Sequence, residues 1–389
     1  MSEFDSSEIG SGIEPDPYQQ LHEKFPIQTV DFKNGSIAYH DMIPEIPRSE
    51  TDIPTLSLVG WGIDQKGFGN VVHGLYEAGE HVVTVDFEGS GQRVKGQPGS
   101  STEINRQAKL LAGFIKLLPQ EKVKLLAHSK AALVVEEMLR NRPDIASRVD
   151  MVIEISPMGK GGKDNLIGLG LRQKAEMDRV KKIVEKGEEY EGMSNEETVI
   201  ARERKAMSEK RAGKMVKDFV LKNPERALRE VVGMAKSDSY DAIRFMKSLG
   251  IKVALIQGED DVLNSNERVW RTIKFESGFI EQPDPSMRLN DEVNFSSGKV
   301  DEGEKEKLRE FFRRKEATRD RIISEGRWPA MDSITQTAGG HDIYGKDSLP
   351  QVILKTIDAL ENPQNYKREL NRGIQTQPVL KSLRAKKQH

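Results

Sequence analysis

The chain contains no cysteine. Disulfides and thiolate metal sites are thereby excluded, which fits a reducing compartment. No apolar run approaches the roughly 18 residues needed to span a bilayer. Residues 1–18 are acidic and rich in glycine, serine and proline, with no apolar core, so they do not read as a secretory signal. Charge leans to neither side: 60 Lys and Arg stand against 62 Asp and Glu, a net charge of −2. Bulk electrostatics therefore gives no argument for nucleic acid. Histidine is scarce, seven in 389 residues, and no group of histidines and carboxylates has metal-ligand spacing. These absences leave a soluble, cytoplasmic protein with no cofactor and no metal as the expectation.

What is present is a patterned chain with an excess of charge, 31% of residues against an ordinary value of about 25%. Residues 1–22 read as a disordered acidic lead. Ile27 to Phe32 and Ser36 to His40 are strand-like, and Asn34-Gly35 between them predicts a type I′ hairpin turn. Thr55 to Val59 is a buried strand running into Gly60-Trp61-Gly62, and Gly67 to Ala78 a helix stopped by Gly79. His81 to Val85 is the next strand. Ile104, Ala108, Leu111, Ile115 and Leu118 then recur at helical spacing. Met151 to Ile155 is a strand closed by Ser156-Pro157. Residues 158–237 lose strand patterning and read as a charged helical insertion. Strand character returns at Val253 to Ile256 and at Ser333 to Thr337, and a helix carrying Leu349, Ile353, Ile357 and Leu360 ends the ordered pattern. Residues 264–327 form a second charged insertion, and 363–389 a basic tail. Strands alternating with amphipathic helices imply a mainly parallel sheet covered on both faces, an α/β fold. The core then comprises residues 23–157 and 238–362.

One stretch organises the rest. Val123 to Ala127 has the composition of a buried strand, and Lys130 to Leu139 a helical pattern. Ser129 sits between them, with Ala127 and Ala131 two residues to either side. A sharp strand-to-helix turn needs small residues at those two positions, and a helix beginning after the serine aims free N–H groups at it. The bland alternative is that Ser129 merely caps the helix. In parallel sheets the working groups sit at the carboxyl ends of strands. Gly60-Trp61, Ser129, Asp261 and His341 all closely follow predicted strands.

With these residues in view, the sequence resembles the α/β-hydrolase-fold serine hydrolases, in particular lid-containing esterases and lipases. Ser129, Asp261 and His341 come in the order that family uses. Gly60-Trp61 resembles its oxyanion turn, with Val59 where histidine is common. Asp86-Phe87-Glu88-Gly89-Ser90-Gly91 resembles its Asp-x-x-Gly-x-Gly loop, and Arg148 to Pro157 its sixth strand. The resemblance implies an α/β-hydrolase fold with a helical lid at 158–237. It also implies an acyl-enzyme on Ser129, with His341 as general base and Asp261 as orienting acid. The backbone N–H groups of Trp61 and Lys130 would form the oxyanion hole. Gly258-Glu259-Asp260-Asp261 offers two carboxylates, and the family spacing selects Asp261.

The chemistry asks for these types. A serine hydroxyl is a poor nucleophile until a base removes its proton. The histidine needs a carboxylate to fix its tautomer, and the tetrahedral oxyanion needs two donors. The expected substrate is a small-molecule ester or other acyl compound, an amide or thioester included. A catalytically silent binding protein on the same fold and an acyltransferase using the same triad are the alternatives. The Lys130 side chain is open at this stage, either solvated or adding positive potential to the site.

Overall fold

The computed structural model describes residues 17–87, 103–160, 166, 168–176, 220–222, 224–237, 242–258, 261, 263–264, 333–337 and 349–362. Asp260, His341, the glycine loop from Glu88 onward, residues 265–327 and the tail after 362 lie outside the described residues.

Eight strands form one sheet: β1 (Gln28–Phe32), β2 (Gly35–Met42), β3 (Thr55–Leu58), β4 (Val82–Phe87), β5 (Val123–His128), β6 (Val149–Ile155), β7 (Lys252–Gly258) and β8 (Ser333–Thr337). Their order is β1-β2-β4-β3-β5-β6-β7-β8. β2 is antiparallel to both β1 and β4, and every other pairing is parallel. The central strands are mostly apolar because helices cover both faces; every residue of β3 and of β5 is buried, Thr55, Ser57, Lys124 and His128 among them.

The helices are α1 (Pro17–Lys24), α2 (Gly69–Glu77), α3 (Glu103–Leu117), α4 (Lys130–Asn141), α5 (Pro224–Lys236), α6 (Ala242–Ser248) and α7 (Leu349–Glu361). On one face α3, α4 and α6 pack with Leu56, Leu125, Val152 and Val253. On the other, α1, α2 and α7 pack with Leu126, Ile153, Ala254 and Ile256. The chain winds outward from β3 through β4 and then back through β5, so the strand order reverses between β3 and β5. The crevice outside the carboxyl ends of those strands is where a sheet of this kind binds ligands.

Three expectations change. The predicted disordered lead overlaps an element: α1 begins at Pro17, packs on α2 and buries Leu21. The hairpin pairs Phe32 with Gly35, so its two-residue loop is Lys33-Asn34, with Gly35 (φ 138°) the first residue of β2. A type I′ turn needs positive φ at both central residues. Among the described residues, only Ser129 and Ser156 have positive φ without being glycine. The third change concerns the insertion at 158–237, whose two ends belong to the core. Met158 and Lys160 are buried, and α5 packs on α3 with Met234 and Ala235 in the main hydrophobic cluster.

Candidate active site

β5 and α4 form the predicted strand-turn-helix, and Ser129 is the turn. Its backbone stands at φ 55°, ψ −117°, a region an L-residue occupies only when its surroundings enforce it. Three hydrogen bonds fix that backbone. Ser129 N–H donates to the Ile155 carbonyl at 2.9 Å, and the Ser129 carbonyl accepts from Ala132 and Met158 at 3.2 Å each. Ala131 is buried against the turn. The hydroxyl makes no capping bond to α4, which removes the reading of Ser129 as an ordinary helix cap. The side chain sits at the N-terminus of a twelve-residue helix, whose first amides have no acceptor within the helix.

The loop after β3 is pressed against this turn. A Cβ placed on Gly60 would lie 3.0 Å from the Ser129 Cβ and 3.0 Å from the His128 ring. Only glycine lets the two backbones approach so closely. His128 is buried beside Phe68, ring centroids 5.7 Å apart, a packing residue of the elbow. Trp61 is half-buried and packs on the main core.

Gln65 ties this loop to two strands. Its side-chain amide donates to the Ser57 carbonyl (2.7 Å) and the Val85 carbonyl (3.2 Å) and accepts from the Ser57 hydroxyl (3.0 Å). Its own N–H donates to Asp86 Oδ1 at 3.2 Å. Asp64 caps the short 3-10 helix Gln65–Phe68 by accepting from Lys66 N–H.

Asp261 follows β7 and is 3% exposed. Its carboxylate is seated rather than loose. Oδ1 accepts from the Asn264 backbone N–H at 2.8 Å, and Oδ2 from Gln257 Nε2 at 2.9 Å. Gln257 Nε2 also donates to the Asn264 carbonyl at 3.0 Å, and Asn264 Nδ2 donates to the Pro157 carbonyl. The acid loop is thus stitched to the chain leaving β6, next to the segment that holds the Ser129 carbonyl. Gln257 and Asn264 were not singled out from sequence. Their only local signal is proximity to Asp261.

The Lys130 side chain is not in solvent. It is 4% exposed, and Nζ donates to Glu230 Oε2 on α5 at 2.8 Å. Arg226 Nε donates to the other Glu230 oxygen at 3.1 Å, and Arg226 Nη2 approaches Glu103 on α3 at 3.6 Å. Beneath the turn lies a second buried cluster. Lys160 Nζ pairs with Glu136 of α4 and, at 2.9 Å, with Glu154 of β6. Burial, and then the charge of Glu154, push the Glu136 carboxyl well above its usual range against the pull of Lys160. The helical residues 168–176 reach the acid loop, where Arg172 Nε donates to the Leu263 carbonyl at 3.1 Å.

Ser129, Gly60-Trp61 and Lys130 therefore meet at one point, and Asp261 stands at the same edge two strands away. The predicted base, His341, lies outside the described residues. No group of three or more His, Cys, Asp or Glu arranged to hold a metal occurs among the described residues. No helix among them is long and apolar enough to cross a membrane.

Comparison with known proteins agrees with this architecture. The chain resembles the bromoperoxidase from Bacillus anthracis, with a TM-score of 0.50, 14% identity, and coverage of 86% of this chain and 99% of that one. A carboxylesterase from Nitrososphaera gargenis aligns with a TM-score of 0.49 at 14% identity, covering 86% of this chain and all of that one. A thermophilic esterase from Thermogutta terrifontis aligns at 0.48 and 16% identity, covering 86% and 99%. No family model matches the sequence. No curated protein matches it either. The chain has the α/β-hydrolase fold.

Proposed function

We propose that this protein is a serine hydrolase that cleaves a carboxylic ester, or another acyl compound such as an amide or thioester, through an acyl-enzyme on Ser129. The observation that carries the reading is the Ser129 backbone. It is a non-glycine residue at φ 55° whose hydroxyl does not cap the helix it begins, with Gly60 packed against it. Such strain costs on the order of 1–3 kcal/mol and persists where the surroundings over-determine it, commonly at working sites.

In this reading His341 removes the hydroxyl proton as Ser129 Oγ attacks the acyl carbon. The oxyanion forms beside the N–H groups of Trp61 and Lys130. The imidazolium passes its proton to the leaving group, and water then repeats the sequence on the acyl-enzyme. Asp261 keeps the imidazole in one tautomer, and its two fixed hydrogen bonds suit that task because the carboxylate cannot turn away. The substrate is a small acyl compound and the chemistry calls for no cofactor. Contact of the inserted helical residues 168–176 with the acid loop supports the insertion acting as a lid that selects the acyl group.

Hydrolysis of a p-nitrophenyl ester series of increasing chain length tests the reading. Wild type should turn over some members with saturation, and Ser129→Ala should fall to the uncatalysed rate. Equal turnover by the two proteins would contradict it.

A further inference from the structure

A lysine at the first position of α4 is a costly choice. The N-terminus of a helix carries partial positive charge, which disfavours a cation there. This lysine is also buried, and a buried charge needs a partner. Glu230 supplies the partner from exactly one hundred residues away, at 2.8 Å and 2% side-chain exposure. Glu230 is itself held by Arg226 one helical turn earlier, at 3.1 Å, and Arg226 by Glu103 at the start of α3. Lys130 directly follows Ser129, and its backbone N–H is one of the two that the hydrolase reading assigns to the oxyanion.

We infer that Glu230 is a positioning residue for the catalytic elbow: its ion pair with Lys130 holds the first turn of α4 so that the Lys130 N–H points at the oxyanion. The inference rests on the serine hydrolase reading and adds a residue to it. Backbone bonds hold the Ser129 side of this peptide, since Ser129 N–H and carbonyl are both engaged. The far side is held through the Lys130 side chain. The Ser129 carbonyl and the Lys130 N–H belong to one planar peptide, so when the tether is cut and the first turn of α4 shifts, the N–H moves with it away from the reacting carbonyl. The same tether makes α5, the last helix of the insertion, part of the nucleophile's mounting rather than part of a free lid.

The test is the second-order rate of inactivation by a fluorophosphonate, measured with thermal melts on the full chain. Glu230→Gln should lower that rate about tenfold, less than the roughly hundredfold or more lost when an oxyanion donor is removed outright. The paired substitution Lys130→Met with Glu230→Gln removes the tether and the orphaned lysine together, and leaves an amide oxygen to accept from Arg226 Nε. It should melt above Glu230→Gln yet react as slowly, which separates positioning from folding. Glu80→Gln is the control. It breaks a buried pair of the same kind, Lys124 to Glu80 at 2.6 Å, at the opposite end of β5. It should lower the melting temperature and leave the rate alone. A paired variant that reacts at the wild-type rate overturns the inference alone. So does a control that slows the reaction as much as Glu230→Gln. A wild type that takes no label overturns the hydrolase reading and the inference together.

Discussion

At the scale of single residues, Ser129 and Asp261 make opposite demands on stability. Ser129 holds a backbone conformation suited to glycine. Ser129→Gly should therefore raise the free energy of unfolding by about 1 kcal/mol, read from urea denaturation, while abolishing ester turnover. A serine kept only for structure would give the reverse, a less stable protein. Asp261 accepts one bond on each oxygen, from Asn264 N–H and Gln257 Nε2. An asparagine there must turn its NH2 toward one of those donors. Asp261→Asn should thus destabilise by about 1–3 kcal/mol and cut turnover on the order of ten-thousand-fold, as loss of a triad acid does. Circular dichroism and p-nitrophenyl ester kinetics on the same samples check both. Ser129 was legible in the sequence because strand, small neighbours and helix sit within a few residues of it. Gln257, Asn264 and Glu230 were not. Their partners are fixed by tertiary packing, and the Lys130–Glu230 and Asn264–Pro157 contacts bridge 100 and 107 residues.

At the scale of elements, two buried charge clusters decide how strands and helices are joined. Lys160 binds α4 to β6 through Glu136 and Glu154. With the Glu136 carboxyl raised well above its usual range, the folded state favours a proton there that the unfolded chain releases near its ordinary pKa of about 4.3. Stability is lost as pH rises from that value through the folded one, so the stability of Glu136→Gln relative to wild type should shift in favour of the variant as pH rises above about 4.3. Lys160→Met leaves Glu154 without its cation and should cost about 3–5 kcal/mol. Urea denaturation of the two variants checks the contrast.

At the other end of the sheet, His81 bridges Asp41 at 2.7 Å and Asp52 at 2.5 Å. Burial alone would lower its pKa, but the two carboxylates outweigh it and the net shift is upward. A raised folded pKa means that the contribution is fully present below about pH 6.5 and fades as pH rises through the folded value. The stability difference between wild type and His81→Gln should therefore shrink as pH rises above about 6.5. A difference that stays constant or grows with pH would contradict the assignment. The strands themselves were readable because buried parallel strands are short apolar runs. The hairpin was misread because Asn34-Gly35 lies one residue past the turn it was expected to centre.

For the whole molecule, the sheet order and its reversal between β3 and β5 place the elbow and the acid along one edge. That the sheet is mainly parallel followed from alternating strands and helices. The mounting of the insertion did not, because composition marked residues 158–237 as one charged block. Its two ends are anchored by Lys160 and Glu230. Excising all of 158–237 strips Glu154 and Lys130 of their charged partners, and should cost about 3–5 kcal/mol for each broken pair. Excising only 161–223 keeps both anchors, so the core should remain folded while selectivity among acyl chain lengths changes. Melting curves and the ester series compare the two shortened chains.

The central claim, an activated nucleophile at Ser129, is tested most directly by intact-protein mass spectrometry after fluorophosphonate treatment, with peptide mapping. The account predicts one phosphonyl adduct per chain, on Ser129, and none on Ser129→Ala. Labelling of Ser129→Ala equal to wild type, or an unlabelled wild type, would contradict it.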